Sequence, residues 1–275
     1  MPELPEVETI RRQLEKEVVG RKILSVDVRF GGRLNVRPAA FVAGVSGATL
    51  TAAGRRAKLL RLDLSNGNSL IVHLKMTGRF LLVPAGTRPT THTHVVFRLS
   101  GGQELHFEDV RKFGYMRLFP TADLEREVYD KEGYGPEPLD PSFTAERFAL
   151  CVRGRSKKRI KPLLMEQTCI AGIGNIYADE SLWRAGIRPQ RRASSLSDGD
   201  LRRLHEGVQE SLRGSLAVRG TSADTYVDLY GKKGENVGRL NVYGREGEPC
   251  PRCGGPVKKI AFAGRGTHFC PACQK

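Results

Sequence analysis

Apolar residues return at helical spacing near the start of the chain, at Val7, Ile10, Leu14 and Val18. Pro5, Glu6 and Glu8 precede or share the first turn and Gly20 follows the last, which predicts a capped amphipathic helix. The period then becomes two. Leu24, Val26, Val28 and Phe30 alternate with polar residues, as do Leu60, Leu62 and Leu64, and again Leu70, Val72 and Leu74, the pattern of half-buried strands. Asn66-Gly67 and Gly101-Gly102 read as hairpin turns, the second between strands around Val95–Leu99 and Glu104–Phe107. With Gly114–Phe119 added, residues from about 22 to 120 predict a β-sandwich of short antiparallel strands.

A helical turn at Leu124–Tyr129 leads into Gly133–Pro141, where three prolines and two glycines prevent regular structure and mark a boundary. Beyond it the period is helical. Phe143–Val152, Ile160–Gln167, Asn175–Ala185 and Ser197–Val218 are candidate helices, the last opened by a Ser197/Asp200 capping box and carrying Leu201, Leu204, Val208 and Leu212 on one face. Glycines and polar residues dominate Gly220–Gly238, which reads as a mobile loop. The pattern divides the chain into 1–132, a linker at 133–141, a helical region at 142–238 and a small C-terminal unit at 239–275. The fold class is α+β and multidomain.

Composition sharpens this picture in two ways. The 275 residues carry a formal charge of +15, which says little about fold but points to an anionic partner such as nucleic acid or an acidic membrane. No apolar run is long enough to span a bilayer and the N-terminus carries acids where a signal peptide needs bases, so a soluble cytoplasmic protein is expected. Of six cysteines, four form Cys250-x2-Cys253 and Cys270-x2-Cys273, with sixteen residues between the pairs. Four thiolates at this spacing close a tetrahedral zinc site with no position open to water, so one structural zinc ion is expected. Cys151 and Cys169 are left as buried thiols. Two alternating runs between the cysteine pairs flank Gly264-Arg265-Gly266, a hairpin with an arginine at its tip.

Chemistry is suggested first by Pro2-Glu3. Removal of Met1 leaves a secondary α-amine, roughly a third unprotonated near pH 7.5 against about a thousandth of a lysine. Attack on an aldehyde carbon gives an iminium that has no N–H to lose and acts as an electron sink. Glu3 beside it is a candidate proton donor or acceptor. The same residues also describe an ordinary helix start. Arg153, Arg155, Lys157, Lys158, Arg159 and Lys161 form one basic cluster and Arg55, Arg56, Lys58 and Arg61 another, suited to phosphates or to a solvated face. Gly172-Ile-Gly174-Asn175 joins two helices, and its glycines let a phosphate approach the second helix's N–H groups and the Asn175 amide. The strand that a dinucleotide fingerprint requires before such glycines is missing. His73 ends a strand near Met76, and Arg111 and Phe113 project from one side of an extended segment, as a base-reading guanidinium beside an aromatic wedge or as ordinary structural residues.

Taken together, Pro2–Glu8, Arg56-Ala-Lys58, His73-Leu-x-Met76-x-Gly78, Asp109-x-Arg111-x-Phe113-Gly114, Gly135–Leu139, Gly172–Tyr177 and Cys250 to Lys275 resemble the formamidopyrimidine-DNA glycosylase family over almost the whole chain. The resemblance implies an N-terminal β-sandwich, a helix–two-turn–helix domain and a zinc finger, with excision of oxidised purines such as 8-oxoguanine followed by β,δ-elimination. It implies Pro2 as Schiff-base nucleophile, Glu3 as proton donor to the sugar, Lys58 as a phosphate contact and proton donor, and Arg265 as a phosphate contact that aids δ-elimination. Met76, Arg111 and Phe113 match the trio that fills the gap left by an extruded nucleotide, with Arg111 facing the opposite cytosine. His73, His92, Asn175 and Tyr243 match DNA-contact positions, while Arg155 and Lys157 rest on the basic cluster. Gly220–Tyr226 matches a loop over the flipped base. Leu4 fits this family better than the endonuclease VIII-like branch. Duplex DNA carrying oxidised purines or abasic sites is the implied partner of a monomeric bacterial protein associated with the nucleoid. The alternative of another class is a zinc protein that binds or senses damaged DNA without catalysis, and Pro2-Glu3 distinguishes the two.

Overall fold

The computed structural model describes all 275 residues, which form two compact units. Met1–Lys131 with Arg219–Gly234 is the first. Its opening helix α1 (Leu4–Glu17) begins after an extended Glu3, whose N–H donates to Glu6 Oε2 at 2.8 Å. Val7, Ile10, Leu14 and Val18 are each at most 1% exposed and belong to the main core. Each such side chain contributes about 1.5–3 kcal/mol by leaving water.

Two four-stranded antiparallel sheets complete the unit. One has the order β1 (Ile23–Val28), β6 (Thr93–Leu99), β7 (Gln103–Asp109), β5 (Gly78–Pro84). The other runs β2 (Leu50–Arg56), β3 (Leu59–Leu64), β4 (Asn68–His73), β8 (Tyr115–Pro120). Phe80, Phe97, Leu105 and Phe107 of the first share one core with Leu60, Leu62, Leu64, Leu70 and Val72 of the second. A short helix α2 (Pro38–Val45) adds Phe41 and Val45 to it. Leu24 departs from the alternation expected of it. The register shifts between Ile23 and Ser25, so Ile23 and Val26 point inward and Leu24 is 59% exposed. A bulge adds a residue that period counting cannot anticipate.

The segment expected to be a mobile loop is largely anchored. Tyr226, Asp228 and Leu229 are buried, Leu82 N–H donates to Leu229 O at 2.9 Å, and the exposed runs are short, at Ala223–Thr225, Tyr230–Lys233 and Val237–Arg239. Its two ends also meet. A Cβ placed on Gly234 would lie 2.3 Å from Gly220 O, and Gly234 N–H donates to Ser222 Oγ at 2.8 Å.

Glu132–Val218 with Glu235–Lys275 forms the second unit. After a single turn α3 (Asp130–Glu132), helix α4 (Ala145–Arg153) is capped by Thr144, whose side chain accepts from Arg147 N–H. Helix α5 (Ile160–Leu164) stops short of the expected Gln167, because the Gln167 side chain donates to Met165 O and Ile173 O and accepts from Gly172 N–H, organising a loop instead. Helix α6 (Asn175–Ala185) ends at a left-handed Gly186. Helix α7 (Asp198–Leu216) opens with the Ser197/Asp200 capping box and buries Leu201, Leu204, Val208 and Leu212. Strands β9 (Lys258–Phe262) and β10 (Arg265–Phe269) make the C-terminal hairpin. Its turn is Ala263-Gly264, both at positive φ, so Arg265 is the first residue of β10 and not the tip.

Candidate active site

In the first unit Pro2 is buried and Glu3 is 2% exposed, immediately before the helix that the core holds in place. Glu6, 1% exposed, accepts from Glu3 N–H on Oε2 and from Thr221 N–H at 2.8 Å on Oε1. One carboxylate therefore ties the start of α1 to the Arg219–Gly234 segment. The residue is absent from the sequence-based candidates, although its three-residue spacing from Glu3 is that of a capping box. Tyr226 Oη donates to Arg219 O at 3.1 Å, and burial together with the Glu6 charge pushes this phenol well above its usual range. It stays a neutral donor. Burial alone pushes the Glu8 carboxyl up, but bonds to Arg11 and Arg12 and the Arg55 charge hold it below the usual carboxylate range. Arg55 pairs with Glu8 at 3.0 Å and Arg61 with Asp63 at 2.6 Å, so these two members of the first basic cluster are neutralised internally.

Lys58 sits in the two-residue turn between β2 and β3 and is 7% exposed. Ala57 before it is left-handed at φ 52°, an uncommon conformation for a residue with a Cβ, so the turn aims the lysine at some cost. His73 at the end of β4 accepts from Lys75 N–H at 2.9 Å on Nδ1, which leaves the proton of the neutral ring on Nε2. Burial, then the charges of Lys75 and Lys58, depress its pKa to about 3. A basic group depressed in the folded state leaves the unfolded chain to take the proton first as pH falls below about 6.5. Stability is therefore expected to drop between about pH 6.5 and 3. His73→Gln should flatten that limb by on the order of 3 kcal/mol, less than the full shift because the ring keeps some water contact. Urea titrations across that window measure it, and an unchanged acid limb would refute the assignment.

Arg111 and Phe113 lie on a turn and not on an extended segment, with Lys112 left-handed at φ 57°. The fully buried Asp109 makes this turn, since its carboxylate accepts from Arg111 N–H at 3.2 Å, Gly114 N–H at 2.6 Å and the Thr77 hydroxyl. Both side chains still share one side, with the Arg111 guanidinium 4.9 Å from the Phe113 ring centre. Phe113 is 46% exposed, a large uncovered apolar surface. Met76 follows the left-handed Lys75, and its carbonyl accepts from Thr225 Oγ1 at 3.4 Å. His92 is exposed, with its carbonyl bonded to Asp109 N–H at 3.0 Å.

In the second unit the basic cluster divides. Lys161 is 1% exposed and cannot be a phosphate contact as it stands. It pairs with the buried Asp179 at 2.7 Å and donates to Thr267 Oγ1 at 2.7 Å, which fastens β10 to α5 and α6. Arg153 pairs with Asp198 and Lys158 with Glu166, whereas Lys157 is exposed. Arg155 is held against Thr168 and Cys151. Asn175 donates through Nδ2 to Gly266 O at 3.0 Å, so one of its two N–H bonds supports the hairpin. Tyr243 lies 5.0 Å from the His268 ring, and its N–H, with those of Asn241 and Val242, donates to the buried Glu180 carboxylate. The remaining two cysteines are not free thiols, because Cys151 and Cys169 form a disulfide with Cα atoms 5.7 Å apart. They lie eighteen positions apart in sequence, a pairing that only the loop after α5 brings together.

The four C-terminal sulfurs lie within 4.8 Å of one another, with Cys250–Cys273 at 3.9 Å and Cys253–Cys270 at 3.5 Å. Zn–S bonds of about 2.3 Å in a tetrahedron place sulfurs about 3.8 Å apart, so the donor set fits zinc and leaves no ligand position for catalysis. Trp183 Nε1 donates to Cys250 Sγ at 3.3 Å.

A β-sandwich with a buried N-terminal Pro-Glu, a helical domain and a zinc hairpin define a zinc-finger DNA-repair enzyme, and three family matches converge on it. Residues 1–116 match the formamidopyrimidine-DNA glycosylase N-terminal domain, 134–227 the H2TH domain of the same enzyme, and 247–275 a zinc finger found in that glycosylase and in IleRS. Formamidopyrimidine-DNA glycosylases of Roseiflexus and Herpetosiphon aurantiacus are 44% and 45% identical, with all of each chain covered. Among solved structures, a mutant of the Lactococcus lactis enzyme in complex with Fapy-dG-containing DNA is 38% identical, with a TM-score of 0.94 over all of both chains. The same enzyme with abasic-site DNA gives 0.93 over 99% of each. The chain belongs to the formamidopyrimidine-DNA glycosylase family of DNA glycosylases and AP lyases. It holds one structural zinc ion on Cys250, Cys253, Cys270 and Cys273, and no helix is long and apolar enough to cross a membrane.

Proposed function

We propose that this enzyme removes 8-oxoguanine and formamidopyrimidines from duplex DNA and then cuts the abasic strand by β,δ-elimination through a Schiff base on Pro2. The observation that carries the reading is the burial of Pro2 and Glu3 side by side at the start of α1. With Met1 removed, the Pro2 nitrogen attacks the deoxyribose C1′ and the damaged base leaves while Glu3 protonates the sugar oxygen. The resulting iminium acidifies the adjacent C2′–H bond. Loss of that proton expels the 3′ phosphate, and a second elimination expels the 5′ phosphate. Lys58 and Arg265 contact phosphates and assist the two departures. His73, His92, Arg155, Lys157, Asn175 and Tyr243 bind the backbone. The neutral His73 does so as an Nε2–H donor. The DNA bound in the Lactococcus lactis complexes, carrying Fapy-dG or an abasic site, supports the substrate class. We place the protein in the bacterial cytoplasm, bound to the nucleoid as a monomer. Borohydride trapping on duplexes with 8-oxoguanine opposite cytosine, against duplexes with an oxidised pyrimidine, tests the reading, and preferential trapping on the pyrimidine would refute it.

Selectivity for the opposite base falls to Arg111. Extruding a nucleotide costs a few kcal/mol in lost stacking and pairing, so the gap must be filled. The Asp109-held turn offers Phe113 as a wedge and Arg111 as a donor to the O2 and N3 acceptors of cytosine, and Met76, between β4 and β5, acts as a second wedge. Excision opposite cytosine is expected to exceed excision opposite adenine, and Arg111→Ala should narrow that ratio by about 1–3 kcal/mol. Cleavage of single-stranded abasic DNA should persist in the variant. Equal loss on every partner and on the single strand would make Arg111 a general binding or structural residue.

A further inference from the structure

In the first unit the chain passes from one sheet to the other through 74–77, between β4 and β5, and again through 110–114, between β7 and β8. The two crossings are neighbours, because Gly78 pairs with Asp109 at one side and His73 with Tyr115 at the other. Met76 lies on the first crossing and Arg111 and Phe113 on the second. Backbone that leaves a sheet loses its ladder partners, and here the Thr77 hydroxyl and the Asp109 carboxylate replace them. The hydroxyl accepts from Arg111 N–H at 3.1 Å and donates to Asp109 Oδ1, which also accepts from Arg111 N–H, at 3.2 Å. Asp109 Oδ2 separately holds Gly114 N–H at 2.6 Å. The crossings are in close contact as well, since a Cβ on Gly114 would lie 3.2 Å from both His73 O and Leu74 O.

We propose that Thr77 is a positioning residue that determines opposite-base specificity: its hydroxyl ties the crossing that carries Met76 to the backbone of Arg111 and fixes where that guanidinium stands. The inference rests on the reading of Arg111 as the donor to the opposite cytosine, and adds what holds the donor in place. Thr77 itself touches no base and acts through Arg111. A guanidinium at the end of a long side chain bonds a base edge only when its N–H groups fall within about 2.7–3.2 Å of their acceptors. The Phe113 ring, 4.9 Å from the guanidinium, limits the side chain, and the bond to Thr77 limits the backbone beneath it. Specificity is a difference between two partners. Cytosine offers two acceptors, whereas adenine in its place presents an acceptor beside an N–H donor. A fixed guanidinium meets that donor with its own, and a slack one turns away from it. Loosening Arg111 therefore weakens the fit to cytosine and relieves the misfit to adenine. Asp109 is fully buried, so water does not replace the Thr77 bond when it is lost.

Thr77→Val in the full-length, zinc-loaded protein keeps the shape and removes the hydroxyl. A methyl group cannot come as near to a carboxylate oxygen as a hydroxyl does, so the crossings part slightly while the Gly114 bond and the Gly78–Asp109 pair keep the turn. Single-turnover excision of 8-oxoguanine opposite cytosine, relative to excision opposite adenine, should fall roughly 3–10-fold, the worth of one hydrogen bond. Cleavage of single-stranded abasic DNA should be unchanged. Thr77→Ser should keep the ratio of the unaltered protein. In a double-mutant cycle Thr77→Val should add nothing to the narrowing caused by Arg111→Ala, because no guanidinium is left to position. Hydrogen exchange at the Arg111 amide, a readout that needs no DNA, should be slow in the unaltered and Ser proteins and fast in the Val variant. If Thr77→Val fails to fold, Thr77→Ala takes its place with the same expected results. An unchanged ratio in Thr77→Val beside a narrowed one in Arg111→Ala would overturn the role of Thr77 and leave the reading of Arg111 standing. Equal loss on both partners and on the single strand, full additivity in the cycle, or loss of the ratio in Thr77→Ser would make Thr77 a structural residue only. If Arg111→Ala leaves the ratio unchanged, the reading of Arg111 fails, and a fast amide in Thr77→Val then marks a support of the turn without a part in specificity.

Discussion

Reduction with borohydride during turnover is expected to leave the DNA attached to the nitrogen of Pro2, in a peptide that begins at that residue. The expectation follows from ionisation. An α-amine near pKa 7.7–8.0 offers free base at neutral pH, whereas an ordinary lysine near 10.4 offers almost none. Lys58 is the other amine proposed for the site, and an adduct mapped to it would remove the central assignment. Protein that retains Met1 or carries a blocked N-terminus should trap nothing. Pro2→Gly keeps an α-amine but makes it primary, so part of the lyase activity should survive. Glu3→Gln should separate the steps. Base release needs the proton and should slow by roughly 10²–10⁴-fold, the worth of a positioned general acid, while trapping at a preformed abasic site should continue.

Loss of zinc is expected to abolish strand cutting while leaving the β-sandwich folded. The finger's own core is Trp183, Val242, Cys250, Val257 and Cys270, two of which are zinc ligands. A structural zinc contributes about 10–16 kcal/mol in isolated fingers, as much as the whole stability of an ordinary domain. Nothing else in so small a cluster offsets its removal. Trp183 is the only tryptophan of the chain and donates to Cys250 Sγ, so its fluorescence reports the finger directly. Chelation after mild denaturation, or Cys250→Ser, should change that emission and end cleavage. The circular dichroism of the strands should persist. Full cleavage by protein shown to lack metal would exclude Arg265 from the chemistry.

Much of this was legible because its causes are local. The helix over Asn175–Ala185 needed only its glycines and apolar spacing, and the zinc site needed only two short cysteine motifs. What escaped depends on partners far away in sequence, on a bulge, or on a bond made by a side chain. Lys161 looked like one more base in a run of bases, yet Asp179 and Thr267 make it a buried fastening for β10. Glu180 gave no signal at all, because its three backbone donors come from residues about sixty positions later. Leu24 was turned outward by a bulge, which shifts register without altering the hydrophobic period before or after it. The turn at Arg111 was misread as extended because the buried Asp109 that shapes it acts through its side chain.

The closed neck of Arg219–Gly234 makes that segment a replaceable cassette. With Gly220 and Gly234 touching, the exposed Ala223–Thr225 between them can be exchanged or extended while Glu6, Leu82 and the main core keep the rest of the segment in place. Each doubling of such a loop costs only about 0.6 kcal/mol in closure entropy. Libraries that vary Ala223–Thr225 and retain the two glycines, Ser222, Tyr226 and Leu229 therefore offer a route to altered lesion preference in an otherwise unchanged protein.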